Sequence, residues 1–200
     1  MTPLENIYKG AFFKRRDSLA WRVPIICNAV VDTFELSPGN KIMDVGCAIG
    51  DYVDGFYERG FKARGIEGSP RAMEYFVKRV ADKILIHDLR TPLPSSISRF
   101  NLCMCLEVAE HIEEEYSDVF LDNLCQISRK ILLTASPPGQ EGHHHVNCQP
   151  DEYWEEKMLQ RGYQRWLSKE LLWRTIMRRW AGKKGIWHYR RNAMIYRRVK

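Results

Sequence analysis

No stretch of these 200 residues approaches the ~18 consecutive apolar positions that a membrane-spanning helix needs. The longest candidate, VPIICNAVV from residue 23, is short and broken by Asn28. The opening MTPLENIYKG has no apolar signal core, which gives the expectation of a cytoplasmic protein. There is no internal repeat and no low-complexity segment. The six cysteines (27, 47, 103, 105, 125 and 148) are scattered and keep no framework spacing, and three lie within apolar stretches. They read as small buried hydrophobes in a reducing compartment. Two nucleotide signatures are also missing. There is no Gly-Lys-Ser/Thr cradle for a triphosphate and no GxGxxG turn of a nicotinamide or flavin site.

What is present suits one folded domain. Hydrophobic residues make up 44% and aromatics 12%, too many for a disordered chain. The net charge of +6 hides an asymmetry. Residues 161–200 hold thirteen Lys or Arg and one acid, Glu170, for a local +12, whereas residues 1–160 are net −6. The basicity belongs to the tail.

Apolar spacing predicts a helix over 18–34, with Pro24 near its start, and strand one at KIMDVGC. DYVDGFYERG predicts a helix with Val53, Phe56 and Tyr57 on one face. KARGIEGS is strand two, PRAMEYFVKRV a helix with proline first, and KILIHDL strand three. FNLCMCLEV is a continuous apolar strand, as expected of one covered on both faces. EEEYSDVFLDNLCQIS is a helix, KILLTASP strand five, QPDEYWEEKMLQRG a helix and YQRWL a further strand. A tail helix and a last strand, NAMIYRRV, complete the pattern. Alternating strands and helices imply an α/β fold with a parallel sheet and right-handed crossovers. Ligands of such sheets sit beyond the C-terminal strand ends, here the segments after Val45, Gly65, His87 and Leu106.

The turn after strand one reads Asp44-Val-Gly46-Cys47-Ala48-Ile49-Gly50. Alone it could be no more than a tight strand-to-helix turn. Glu67 ends strand two, where a carboxylate can accept both hydroxyls of a ribose. Asp88 ends strand three and can accept from an adenine amino group, with Leu89 beside it as an apolar edge.

DVGCAIG, GIEGS, IHDL and FNLCMCLEVAEHI come in an order and spacing that resemble the class I S-adenosyl-L-methionine-dependent methyltransferases, over roughly residues 38–163. The ordered set carries the resemblance, not any single piece. It implies a Rossmann-like three-layer sandwich with a seven-stranded, mostly parallel sheet whose last strand is inserted antiparallel. It implies a single domain over 1–200: an N-terminal helical cap (1–37), a cofactor-binding core (38–163) and a basic C-terminal helix with the last strand (164–200). It also implies S-adenosyl-L-methionine as cofactor, held by Asp44, Gly46, Cys47, Ala48, Gly50, Glu67, Gly68, Asp88, Leu89 and Leu106. Ala48 departs from the family, which usually has a second glycine there. Cys47 is expected to be a small filler, since no base pairs with it in sequence.

EVAEH places Glu107, Glu110 and His111 after strand four, and GHHHVN places His143, His144 and His145 at the same sheet edge. Carboxylates with imidazoles form a mixed O/N set suited to Mg, Mn, Fe or Zn. The pattern resembles the Glu-x-x-Glu-His methyltransferases of ubiquinone-pathway catechols and of small-RNA 2′-hydroxyls. That resemblance implies O-methylation beside a neighbouring hydroxyl, with Glu107, Glu110, His111, His143 and His145 as candidate ligands. The metal-free alternative makes His111 or a loop histidine a general base, with Glu107 beside it. NIYKGAFFKRR reads either as a lid over the cofactor or as a segment packed on the sheet. A small-molecule acceptor is the first expectation, RNA reached through the basic tail the second, and a non-catalytic cofactor-binding module the third.

Overall fold

The computed structural model describes residues 2–199. They form seven strands in one sheet, ordered β3-β2-β1-β4-β5-β7-β6, an α/β Rossmann-like arrangement as the sequence predicts. The chain divides into two compact units, one ending at Asp88 and the other beginning at Leu89.

The first unit opens with two short helices, α1 (Leu4–Ile7) and α2 (Gly10–Lys14). A 3-10 stretch over Arg15–Arg22 then leads into α3 (Val23–Phe34). The helix predicted from residue 18 is thus regular only from Val23, where Pro24 supplies a ready-made first turn. Ile26, Cys27, Val30 and Phe34 form its buried stripe. Strand β1 (Lys41–Val45) pairs in parallel with β2 (Lys62–Glu67), Asp44 opposite Gly65. Between them lies α4 (Asp51–Glu58), which buries Tyr52, Val53 and Phe56. Tyr57, predicted on that face, is instead exposed and lies under the Lys83 ammonium, 4.8 Å from its ring centroid.

The helix predicted over PRAMEYFVKRV does not form. Two 3-10 turns, Pro70–Tyr75 and Lys78–Lys83, take its place. Phe76 between them is extended (φ −56°, ψ 137°), and the Val77 amide donates to the Ile49 carbonyl. Packing of Tyr75 and Phe76 on Phe13, Ala48 and Ile49 thus outweighs local helix propensity. The short strand β3 (Ile84–Ile86) completes the unit.

In the second unit β4 (Leu102–Leu106) is buried at every position, as its unbroken apolar run requires. It runs parallel to β5 (Lys130–Thr134), joined through α5 (Ser117–Ile127). Then come α6 (Asp151–Gln160), β6 (Tyr163–Arg165), α7 (Leu167–Ile176), a 3-10 turn over Met177–Trp180, α8 (Trp187–Arg191) and β7 (Ala193–Arg198). Strand β7 lies antiparallel between β5 and β6, the inserted last strand that the resemblance implies. Among the described residues no helix is long and apolar enough to cross a membrane.

Candidate cofactor turn and acid–histidine cluster

In the first unit the turn after β1 is built from alternating left-handed residues: Gly46 (φ 75°), Ala48 (φ 50°) and Gly50 (φ 80°). Ala48 therefore occupies a conformation that costs an L-residue ~1–2 kcal/mol, the physical reason a glycine is the common choice. The turn is tied to the end of β2. The Gly46 and Cys47 amides both donate to the Ile66 carbonyl (2.8 and 3.0 Å), and the Ala48 amide donates to Glu67 Oε2 (2.8 Å). Glu67 Oε1 accepts from the Ser69 amide at 2.8 Å. Each carboxylate oxygen keeps a further lone pair for a ligand hydroxyl. Burial pushes Glu67 up to about 7, against the backbone donors of Ser69, Ala48 and Gly68 that pull it down.

Asp44 is 3% exposed, and its Oδ2 has no hydrogen-bond partner among the described residues. Burial, and next the charge of Asp51, pushes it up to about 8, while Arg16 pulls it down. Arg16 itself bridges to both oxygens of Asp51, at 2.9 and 3.1 Å. Cys47 is buried with its thiol held well above the ordinary range, chiefly by desolvation. A side chain at Gly65 would meet its sulfur, so Cys47 fills the space beside β2. Asp88, two residues beyond β3, is half-buried.

The N-terminal segment closes over this turn. Phe13 is buried with Ala48, Ile49 and Ala72, and Tyr8, Phe12, Tyr75 and Phe76 pack around that group. Phe13 and Tyr75 stack at 5.9 Å. A Cβ at Gly68 would stand 2.7 Å from the Leu4 side chain. Tyr8, Phe12 and Phe13 of NIYKGAFFKRR thus pack against the turn.

In the second unit Leu89 and Leu106 are buried, and the Leu89 carbonyl accepts from the Asn123 amide at 3.1 Å. Glu107 follows β4 with a left-handed backbone (φ 55°), held by its amide donating to Thr134 Oγ1 at 2.9 Å. Asn192 Nδ2 donates to both Glu107 oxygens (3.2 and 3.4 Å), and Ser136 Oγ donates to Glu110 Oε1 at 2.8 Å. Gln140 Nε2 donates to Ser136 Oγ at 2.8 Å. Glu110 is wholly buried, and its Oε2 has no partner among the described residues. Desolvation and then the Glu107 charge hold its carboxyl above the ordinary range.

His111 Nδ1 lies 3.0 Å from the His144 carbonyl and His145 Nδ1 lies 2.9 Å from the Gln140 carbonyl. A carbonyl only accepts, so both Nδ1 atoms carry hydrogen, and on a neutral ring the lone pair is then on Nε2. That is the tautomer a metal-ligating imidazole needs, fixed by a backbone acceptor behind it. Burial lowers His111 to about 4, so it is neutral at physiological pH. Glu110, His111 and His145 offer ligand atoms within 4.8 Å of one another. Of the five candidates in the sequence, these three are gathered. Glu107 is engaged by amide and hydroxyl donors, and His143 stands exposed.

Sequence reasoning missed Ser136, Gln140, Asn192 and the Arg16–Asp51 pair. Ser136 follows strand five within TASPP, the same sheet edge as the acids, and that placement could have flagged it. Asn192 carries no local signal; β7 brings it in from the far end of the chain.

No protein-family model matches this chain, and no curated protein matches it. Solved structures do. The magnesium protoporphyrin IX methyltransferase of Synechocystis PCC 6803, with bound S-adenosylhomocysteine, superposes with a TM-score of 0.59 at 14% identity over 79% of each chain. The cyclase SpnF gives 0.60 at 11% identity, over 88% of this chain and 80% of that one. A Pyrococcus horikoshii protein provisionally described as an RNA methyltransferase gives 0.51 at 15% identity, over 74% and 68%. The chain shares their fold. At these identities the likeness extends to architecture alone, and SpnF shows that this architecture also serves a cyclase, so chemistry has to come from the site.

Proposed function

We propose that this chain is an S-adenosyl-L-methionine-dependent methyltransferase acting on a hydroxyl of a small molecule, with a divalent metal on Glu110, His111 and His145. The observation that carries the first part is the buried, unpartnered Asp44 Oδ2 beside a left-handed turn braced by Glu67. A carboxyl in that position calls for a cation or a proton, and the methionyl ammonium is such a cation. Glu67, with one lone pair left on each oxygen, suits a ribose diol; Asp88 suits the adenine amino group.

The bound cofactor supplies an electrophilic methyl group on a sulfonium. In-line displacement then asks the protein for alignment and for removal of the acceptor's proton. A divalent ion held by Glu110, His111 and His145 would lower the pKa of the acceptor hydroxyl. Glu110, acidic and buried with a free lone pair, and the two Nε2 atoms form a two-histidine, one-carboxylate donor set suited to Fe, Mn or Zn. His111 as metal-free general base is the weaker reading, because an imidazole lowered to about 4 is a poor proton acceptor. Glu107, oriented by Asn192, is the residue that takes the acceptor proton.

The small-molecule reading draws on the aromatic cover of the turn, since an enclosed cofactor suits an acceptor that can itself be enclosed. Related folds are named for a porphyrin and for RNA, so the fold supports either acceptor. The test is calorimetric titration with S-adenosylhomocysteine, followed by labelled methyl donor offered with catechols, sugars and short RNA. Absence of any binding at millimolar ligand overturns the cofactor. Binding without transfer to any acceptor leaves a cofactor-binding module.

A further inference from the structure

Among the described residues, one face of α7 is left exposed. Trp173 and Glu170 point inward, Trp173 donating its indole N–H to the Tyr189 carbonyl at 2.8 Å and Glu170 accepting from Arg165 and Arg174. The opposite face carries Leu167 and Leu171, each 68% exposed, and Leu172, 37% exposed. Leu167 and Leu171 stand one turn apart, with Ser168 and Thr175 beside them on the helix. Three exposed leucines on ten residues are unusual for a face meant for water.

The chain continues from this helix directly into the exposed Arg178 and Arg179, then Lys183 and Lys184. Trp180 lies among them, with the Arg179 guanidinium and the Lys183 ammonium each 5.4 Å from its ring centroid. Apolar residues, a half-buried tryptophan and a cluster of cations together fit the boundary between lipid tails and anionic headgroups. We propose that α7 and the basic turn after it form a docking surface for an anionic lipid bilayer, with Leu167, Leu171 and Leu172 entering the headgroup–acyl boundary.

Charge complementarity supports that occupant, since the tail is +12 over residues 161–200. Single-stranded RNA shares the charge preference but not the rest. RNA grooves present open aromatic faces for bases to stack on. Here the half-buried tryptophans carry the protein's own cations: Trp180 as above, Trp166 with Arg197 at 5.3 Å, and Trp187 with Arg191 at 5.8 Å. Exposed leucines do nothing for a phosphate backbone. The reading is independent of methyl transfer.

Flotation with vesicles of equal parts phosphatidylglycerol and phosphatidylcholine tests it, against vesicles of phosphatidylcholine alone. The protein floats with the anionic vesicles and not with the neutral ones. The double variant Leu167→Gln, Leu171→Gln loses at least about tenfold in partitioning. The double variant Arg178→Gln, Arg179→Gln retains less binding and a shallower salt dependence. Both variants keep the wild-type melting temperature, since the replaced side chains are exposed. Three results overturn the proposal: wild-type partitioning by the leucine variant; no vesicle binding while both leucine variant and wild type bind a short single-stranded RNA equally; or no vesicle binding with a dimer in solution that the leucine variant abolishes.

Discussion

His145 Nε2 lies 4.0 Å from Glu110 Oε1, too far for a hydrogen bond and about twice a ~2.0–2.2 Å metal–ligand bond. The two side chains are held at that separation from behind. The Gln140 carbonyl accepts from His145 Nδ1, and the Ser136 hydroxyl fixes Glu110. The His111 ring meets that of His145 edge to face, centroids 5.0 Å apart and planes at 80°, so the two imidazoles do not simply stack.

A metal titration follows from this geometry. Purified protein stripped with chelator and titrated with Mn or Zn should take up one ion, read by calorimetry and elemental analysis. Glu110→Ala, His111→Ala and His145→Ala should each weaken uptake at least ~10-fold, while His143→Ala leaves it unchanged. Uptake that survives Glu110→Ala, or is equally lost in His143→Ala, would sink the three-ligand assignment.

Ala48 offers a stability test that needs no ligand. Its φ of 50° is a left-handed conformation that glycine adopts freely. Ala48→Gly should therefore stabilise the protein by ~1 kcal/mol or be neutral, and Ala48→Val should destabilise it by more than that. Urea unfolding at fixed pH measures both. A destabilised glycine variant would mean that the Ala48 methyl, packed with Phe13 and Ile49, contributes more than the backbone strain costs.

Much of this was legible from the chain. The unbroken apolar run of Leu102–Leu106 marked a strand covered on both faces, because strand burial leaves a local mark. The helix over 70–80 was misread, since nothing local reveals that Phe76 is recruited to the Phe13 cluster across the turn. The tail's tryptophans (166, 173, 180 and 187) recur every seven residues, yet only Trp173 is wholly buried. The break into a 3-10 turn at Met177 ends the regular period there. Of the histidine run, the sequence does not mark which ring is held; the Gln140 carbonyl, accepting from His145 Nδ1, decides that, and it is a backbone feature.

Stability should fall as pH rises. Burial lifts Asp44 from an ordinary 3.8 to about 8 and Glu67 from 4.5 to about 7 in the folded protein. Between the unfolded and folded values the folded state holds more protons than the unfolded one, so raising the pH favours unfolding. The penalty is absent below the unfolded values and reaches its full size above about 8. Asp44→Asn should make the fall shallower, with Glu67 and Glu110 supplying the remainder and His111 opposing it below 6.5, and should stabilise the ligand-free protein at pH 8 by on the order of a few kcal/mol. Melting temperatures measured from about pH 5 to pH 8 give the answer; a wild-type profile that rises with pH, or an Asn variant with the same slope, would contradict the assignment.

The same two carboxyls set the sign for cofactor binding. A protonated Asp44 cannot offer its Oδ2 as an anion to an ammonium, and a protonated Glu67 is a poorer acceptor for a diol. Binding should thus draw off protons, and affinity for S-adenosylhomocysteine should strengthen as pH rises from about 5.5 to about 7.5, towards the folded values of about 7 and about 8. With up to two protons released, the gain is at most ~100-fold per pH unit and nearer ~10-fold if only Asp44 ionises. Calorimetry in buffers of different ionisation heat counts the protons directly. Gly46→Arg should remove binding at every pH by filling the turn, whereas Asp44→Asn should weaken it and flatten its pH dependence. Proton uptake on binding, or an Asn variant as tight and as pH-sensitive as the wild type, would place the ammonium elsewhere than on Asp44.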